Sequence, residues 1–168
     1  MTKKAKKKHG GGTRATVALE RAGIPFDTHP YEVDPRADSY AVEAAAALDL
    51  PEQAVFKTLV TIVDDQPVLA LVPASTQLDL KALANSVGGS KAHMADPHDA
   101  ERLTGYVLGG ISPIGTKRSI ATVVDSAVVD LPLVYLSAGK RGLQVSLLPE
   151  DLLTVTAART APIGRRRD

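Results

Sequence analysis

Two apolar runs lie almost end to end in this chain: VFKTLVTIV at 55–63 and PVLALVP at 67–73, separated only by Asp64-Asp65-Gln66. Runs of this length rich in Val, Ile, Leu and Thr read as strands, and the short polar connection predicts an antiparallel hairpin. The first strand carries an anomaly. Val55, Phe56, Leu59 and Val60 belong in a core. Lys57 does not, because its ammonium is strongly hydrated and costly to bury without a partner. Strand alternation puts Phe56 and Thr58 inward and Lys57 outward, where it would be a solvated edge lysine. The alternative is a lysine aimed from a rigid strand into a pocket, to pair with a phosphate or polarise a carbonyl.

The rest of the chain alternates helix and strand signals. Thr13 caps a helix that Gly23 ends, and 26–31 reads as a short strand. Ser39 caps a second helix closed off by Pro51, and Asp79 precedes a third that stops at Gly88-Gly89. Asp96-Pro97 opens a fourth that ends before Gly105. Strand-like segments follow at 106–110, 120–125, 133–136 and 142–147, and Pro149-Glu150 opens a last short helix. Strands close in sequence and mixed with helices predict an α/β (α+β) fold: one domain with a mixed, mostly antiparallel sheet and helices packed around it.

A length of 168 residues, 44% apolar and 23% charged, fits one globular domain. There is no cysteine, which excludes disulfides, thiolate metal sites and Cys nucleophiles and suits a reducing, cytoplasmic compartment. The start, MTKKAKKKHGGG, lacks the apolar segment of a secretory signal, and no run of about 18 apolar residues predicts a membrane span. The net charge of +1 conceals an uneven layout. Five lysines fall within 1–12 and three arginines with one aspartate within 164–168, which leaves 12 basic against 18 acidic residues between them. The expected organisation is a disordered basic tail at 1–12, a domain at 13–160 and a second basic tail at 161–168. Such tails serve solubility, or they tether a polyanion by releasing its counterions.

Two loops carry the chemical signals. GGISPIGTKRS at 109–119 contains G-x-x-x-x-G, but Thr116 stands where a nucleotide-binding loop needs lysine, and a strand rather than a helix follows. A nucleoside triphosphatase is therefore excluded, and what remains is a turn or a loop whose backbone approaches a ligand closely. SAGKRG at 137–142 combines a hydroxyl, two glycines, Lys140 and Arg141. Basic glycine loops in an acidic body suggest an anionic ligand, against the plainer reading of a hairpin turn with solvated charges. His93 and His98 lack ligand spacing and no G-x-S-x-G elbow exists, so neither a metal site nor a serine triad is expected.

Taken together, VFKTL at 55–59, TGYVLGGISPIG at 104–115 and SAGKRGL at 137–143 resemble the signature blocks of the YbaK/EbsC family in order and spacing. HPYEVD at 29–34 and QLDLKALA at 77–84 extend the likeness to nearly the whole of 13–160. The resemblance implies a partly barrel-like sheet similar to the editing domain inserted in bacterial prolyl-tRNA synthetases. It implies a monomeric, cofactor-free enzyme acting in trans on the 3′ CCA end of aminoacyl-tRNA, typically deacylating cysteinyl-tRNA(Pro), with prolyl-tRNA synthetase as a possible delivery partner. Carried over, Lys57, Gly109 and Ser137 are the catalytic positions, with Lys57 on the phosphate of the tRNA terminus. Tyr31, Tyr40, Thr58, Gly110, Ile111, Ser112, Gly139, Lys140 and Arg141 would line the substrate site. Gln144 departs from the family, which often has an acid there, and this argues against a carboxylate-dependent mechanism.

The resemblance further suggests that the substrate supplies its own nucleophile: the cysteinyl thiol attacks its ester, giving a cyclic thioester and free tRNA. Cleavage by cyclisation would class the enzyme as a lyase rather than a hydrolase. Two alternatives stay open at this level: a deacylase for another small amino acid such as alanine, and a non-catalytic module that binds tRNA ends or a nucleotide.

Overall fold

The second run of the hairpin is apolar throughout because it divides two cores. In the computed structural model, which describes residues 12–37 and 39–166, β3 (Gln66–Pro73) is the middle strand of a five-stranded sheet ordered β5-β2-β3-β6-β9. Alternate side chains face opposite ways. Leu69 and Leu71 enter the larger core with Phe56, Val60, Val124 and Leu136, whereas Val68, Ala70 and Val72 enter a second core with Leu83, Val123 and Ile163. β2 (Phe56–Val63) pairs antiparallel with β3 from Phe56↔Pro73 to Val63↔Gln66. The turn is therefore Asp64-Asp65 alone, both at positive φ (46° and 71°), the handedness that matches strand twist in a two-residue hairpin. β6 (Ala121–Asp125) pairs parallel with β3, and β9 (Arg159–Ala161) parallel with β6. β5 (Ala92–Met94) covers only the far end of β2.

A second sheet, ordered β1-β8-β7, consists of β1 (Asp27–Pro30), β8 (Leu143–Leu147) and β7 (Val134–Lys140). A single parallel bridge, Val55 to Tyr135, joins it to the start of β2. A third, two-stranded sheet pairs β4 (Thr76–Leu78) with β10 (Gly164–Arg166). The fold is thus the expected mixed α/β domain with mostly antiparallel pairing, but the sheets do not close into a barrel.

Among the described residues five helices cover them: α1 (Arg14–Ala22), α2 (Tyr40–Ala47), α3 (Leu80–Ser86), α4 (Pro97–Thr104) and α5 (Pro149–Thr156). The N-caps lie where the sequence signals put them. Thr13 makes a capping box with Thr16, and Ser39, Asp79 and Asp96 each accept an N–H three residues on. None of these helices is long and apolar enough to cross a membrane.

Three expectations need correction. Residues 106–110 are a loop, not a strand: Val107 and Leu108 are exposed, Gly109 has φ +91°, and the Gly110 N–H turns back onto the Val107 carbonyl. The SAGKRG segment is mostly strand, since β7 runs to Lys140 with a bulge after Ser137. The C-terminal segment is not a disordered tail as far as it is described, because 164–166 pairs with β4. The expected N-terminal tail falls, but for Gly12, outside the described residues. The short strands β4, β5, β9 and β10 carried too few residues for a periodicity to show.

Candidate active site

The two larger sheets part where β2 begins, and the gap is a cavity of about 460 Å³. β2 contributes Lys57 and Thr58, β7 Ser137, β8 Gln144, and the segment after β1 Tyr31. Ser39, Tyr40 and Ala41, at the start of α2, form one rim, Leu108, Gly109 and Ile111 another, and Gln77 of β4 a third. Among the described residues fourteen line the cavity, and of these only Lys57 is charged. Lys57 is half-buried and lines the cavity together with Phe56, Thr58 and Leu59, so it is not a solvated edge lysine.

The wall holds two buried oxygens without a protein partner, Thr58 Oγ1 and Gln144 Oε1. A buried acceptor left unpaired costs about 1–3 kcal/mol, so a donor brought by a ligand would recover that cost. Tyr31 is fixed by its backbone N–H, which donates to the Gly142 carbonyl at 2.9 Å. Burial pushes its phenol above the ordinary tyrosine range, and Glu43 pushes the same way. A separate hydrogen bond of the phenol with the Gly142 backbone, the Arg141 charge and a hydrogen bond with Gln144 oppose this. The phenol therefore keeps its proton at neutral pH and acts as a hydrogen-bonding group, not a base.

The 105–116 loop is pinned from below. The Tyr106 hydroxyl donates to the Ile114 carbonyl at 2.5 Å, and burial holds its pKa far above the ordinary value. Ser112 is wholly buried, its Oγ accepting the Ile114 N–H at 3.2 Å. The Gly110 N–H is spent on Val107, whereas among the described residues the Gly109 and Ile111 N–H groups have no partner. These two donors therefore stand free at the cavity wall.

Seven of the twelve expected site residues meet at the cavity: Tyr31, Tyr40, Lys57, Thr58, Gly109, Ile111 and Ser137. Gly110, Ser112, Gly139, Lys140 and Arg141 do not line it, because they build the walls from behind. Arg141 sits 4.7 Å above the Tyr40 ring, pairs with Glu43 at 3.2 Å and donates to the Asp34 carbonyl at 2.6 Å, while Glu43 also takes the Asp34 N–H. This clamp fastens α2 and its tyrosine to the β7–β8 turn. Gly139, at φ +108°, lets the bulged strand pass Tyr106 and Thr13. Lys140 is exposed. Ser39, Gln77 and Leu108 were not foreseen as wall residues, and no local signal marks them. Gln144 had one, an amide in a short strand framed by apolar residues.

Residues 34–155 match the aminoacyl-tRNA editing domain family. The chain is 37% identical over 161 residues to a protein of Enterococcus faecalis described as a candidate Cys-tRNA(Pro)/Cys-tRNA(Cys) deacylase, EbsC, spanning 95% of this chain and 97% of the other. It is 35% identical over 100 residues to a proline–tRNA ligase of Streptococcus equi subsp. equi, but spans only 16% of that protein. Among solved structures, a candidate trans-editing enzyme for prolyl tRNA synthetase superposes with a TM-score of 0.81 at 27% identity, over 90% of this chain and 95% of that one.

Proposed function

This chain belongs to the aminoacyl-tRNA editing domain family, and on that premise we propose that it deacylates mischarged cysteinyl-tRNA(Pro) in trans. The observation that carries the proposal is the cavity wall, with one cation, two unpaired buried acceptors and two free backbone donors in a single gap. Lys57 binds the phosphate at the tRNA 3′ terminus and so fixes the ester over Ser137. Thr58 Oγ1 and Gln144 Oε1 accept hydrogen bonds from the α-amino group of the aminoacyl moiety. Tyr40 packs against the terminal nucleoside, and Tyr31 closes the side of the amino acid.

Among the described residues no carboxylate or imidazole lines the cavity, so the nucleophile comes from the substrate. The cysteinyl sulfur attacks its own carbonyl carbon. The new S–C bond forms, the bond to the ribose 3′-oxygen breaks, and the thiol proton ends on that oxygen. The products are a cyclic thioester and free tRNA. The Gly109 and Ile111 N–H groups receive the negative charge that builds on the carbonyl oxygen. Positioning supplies most of the acceleration, since well-oriented intramolecular attack contributes on the order of 7–11 kcal/mol.

The test is release of amino acid from Cys-, Ala- and Ser-tRNA(Pro) by the wild type and by Lys57→Ala. Cys-selective release lost in the variant is expected. Equal release of serine or alanine would exclude thiol assistance. No release from any of them would leave a binding module rather than an enzyme.

A further inference from the structure

The fold places Arg165 and Arg166 on a paired strand. The Asp125 carboxylate, buried at the end of β6, accepts the N–H groups of Ile163 at 3.0 Å and Gly164 at 2.7 Å through one oxygen and that of Ala127 at 3.1 Å through the other. The Ile163 side chain is fully buried, and its carbonyl accepts the Asp79 N–H at 2.7 Å. These bonds hold β10 against β4 in one register, Gly164↔Leu78, Arg165↔Gln77, Arg166↔Thr76.

Directly opposed residues of an antiparallel pair present their side chains on the same face. On β4, Leu78 packs into the second core, so Gln77 faces the other way, and Gln77 is part of the cavity rim. Arg165 therefore lies on the cavity side of this small sheet. It is exposed, and no ion pair among the described residues engages it. Among the described residues the cavity wall contributes no acidic side chain to neutralise it. An anion at the mouth would therefore meet Arg165 on a fixed strand with no described counter-charge.

We propose that Arg165 binds a phosphodiester of the single-stranded nucleic acid 3′ end whose terminal nucleotide enters the cavity. The inference rests on the reading of the cavity as an aminoacyl-tRNA site and adds to it a contact from a segment outside residues 34–155. One cation presented from a rigid strand reads backbone, not sequence, so it holds any CCA-ended RNA alike.

The experiment measures the dissociation constant of uncharged tRNA(Pro) over a salt series for the wild type, Arg165→Ala, Arg165→Lys and Arg118→Ala. Arg118 is an equally exposed arginine on a different cavity, beside the β2–β3 turn. Losing one single-strand phosphate contact should reduce the magnitude of the log–log salt slope by about 0.7. A rise from about 50 to 200 mM salt would then weaken the wild type about 2.6-fold more than Arg165→Ala. Arg165→Lys should keep most of the slope, Arg118→Ala should match the wild type, and tRNA lacking its terminal CCA should bind wild type and Arg165→Ala alike. A slope unchanged in Arg165→Ala, or a loss that persists on the truncated tRNA, overturns the assignment. If the wild type releases cysteine from Cys-tRNA(Pro) while Arg165→Ala leaves the slope untouched, only the arginine contact is wrong. A wild type that neither binds nor deacylates tRNA removes both readings.

Discussion

Gly110→Ala adds one carbon and two hydrogens to the molecule, at a place where the structure has no room for a methyl group. A Cβ at this position would lie 2.5 Å from Lys140 Cα and 2.9 Å from both Lys140 C and Arg141 N. All three are backbone atoms, so no rotamer change relieves the overlap. Restoring ordinary contact requires the 108–111 loop and the β7–β8 turn to part by about 1 Å, an overpacking cost of about 1–3 kcal/mol. Gly109 and Ile111 are the covalent neighbours of Gly110 and line the cavity on its loop side, so the same shift carries their N–H groups with it. A misplacement of about 1 Å among positioning groups costs on the order of 10²-fold in rate, which corresponds to about 2.7 kcal/mol. The measurement pairs urea denaturation with single-turnover release of cysteine from Cys-tRNA(Pro). Gly23→Ala is the control: its φ of +69° makes alanine cost about 1 kcal/mol, yet nothing lies within 4 Å of the added Cβ, so the rate should not change. A Gly110→Ala protein as stable and as fast as the wild type would refute the reasoning. So would a loss of stability without loss of rate, because the loop would then be close-packed but irrelevant to positioning.

Arg141→Ala removes the ion pair to Glu43, the bond to the Asp34 carbonyl and the guanidinium over Tyr40, so KM should rise and stability fall by about 1–2 kcal/mol. Arg141→Lys should not restore KM, because an ammonium cannot fork between two acceptors and stack at once. Asp125→Ala leaves three N–H groups short of their acceptor, two of them anchoring β10. It should cost about 2–3 kcal/mol in denaturation and speed hydrogen exchange at 163–166. His29 makes a 2.8 Å hydrogen bond to Ser146 Oγ, and burial lowers its pKa from 6.5 while Asp27 partly opposes the shift. The unfolded chain therefore takes up the proton more readily than the folded one. The stability associated with His29 is complete above pH 6.5 and is lost as the pH falls through the lowered folded value. In denaturation curves across this range, His29→Gln should flatten the decline, and a parallel decline in both proteins would discard the assignment.

Local signals were sufficient wherever a few neighbouring residues decide the outcome. The hairpin of β2 and β3 followed from two apolar runs and two aspartates between them, and the helix starts followed from Thr13, Ser39, Asp79 and Asp96. Of the site, the family blocks brought forward seven residues that do share one cavity. They could not separate those from residues behind the wall, because Arg141 and Ser112 stand in the same motifs as Ser137 and Gly109 and differ only in which way they face. The loop at 106–110 was misread as a strand for a related reason: its Val-Leu pair is apolar, but Tyr106 anchors it to Ile114 and leaves that pair in solvent.

The sequence by itself determined that a lysine would sit on the first strand of the central hairpin, on the face opposite Phe56, since strand alternation is a property of the backbone. What that face meets was not contained in the strand. Only the tertiary structure decided it, by bridging Val55 to Tyr135 and gathering Ser137, Gln144 and Gln77 of β4 into one cavity with Lys57 and Thr58. The same holds for Arg165 and Arg166, which composition alone reads as part of a solvated tail. A buried carboxylate 39 residues upstream of Gly164 turns them into a paired strand, and a contact at that separation leaves no trace in either local pattern.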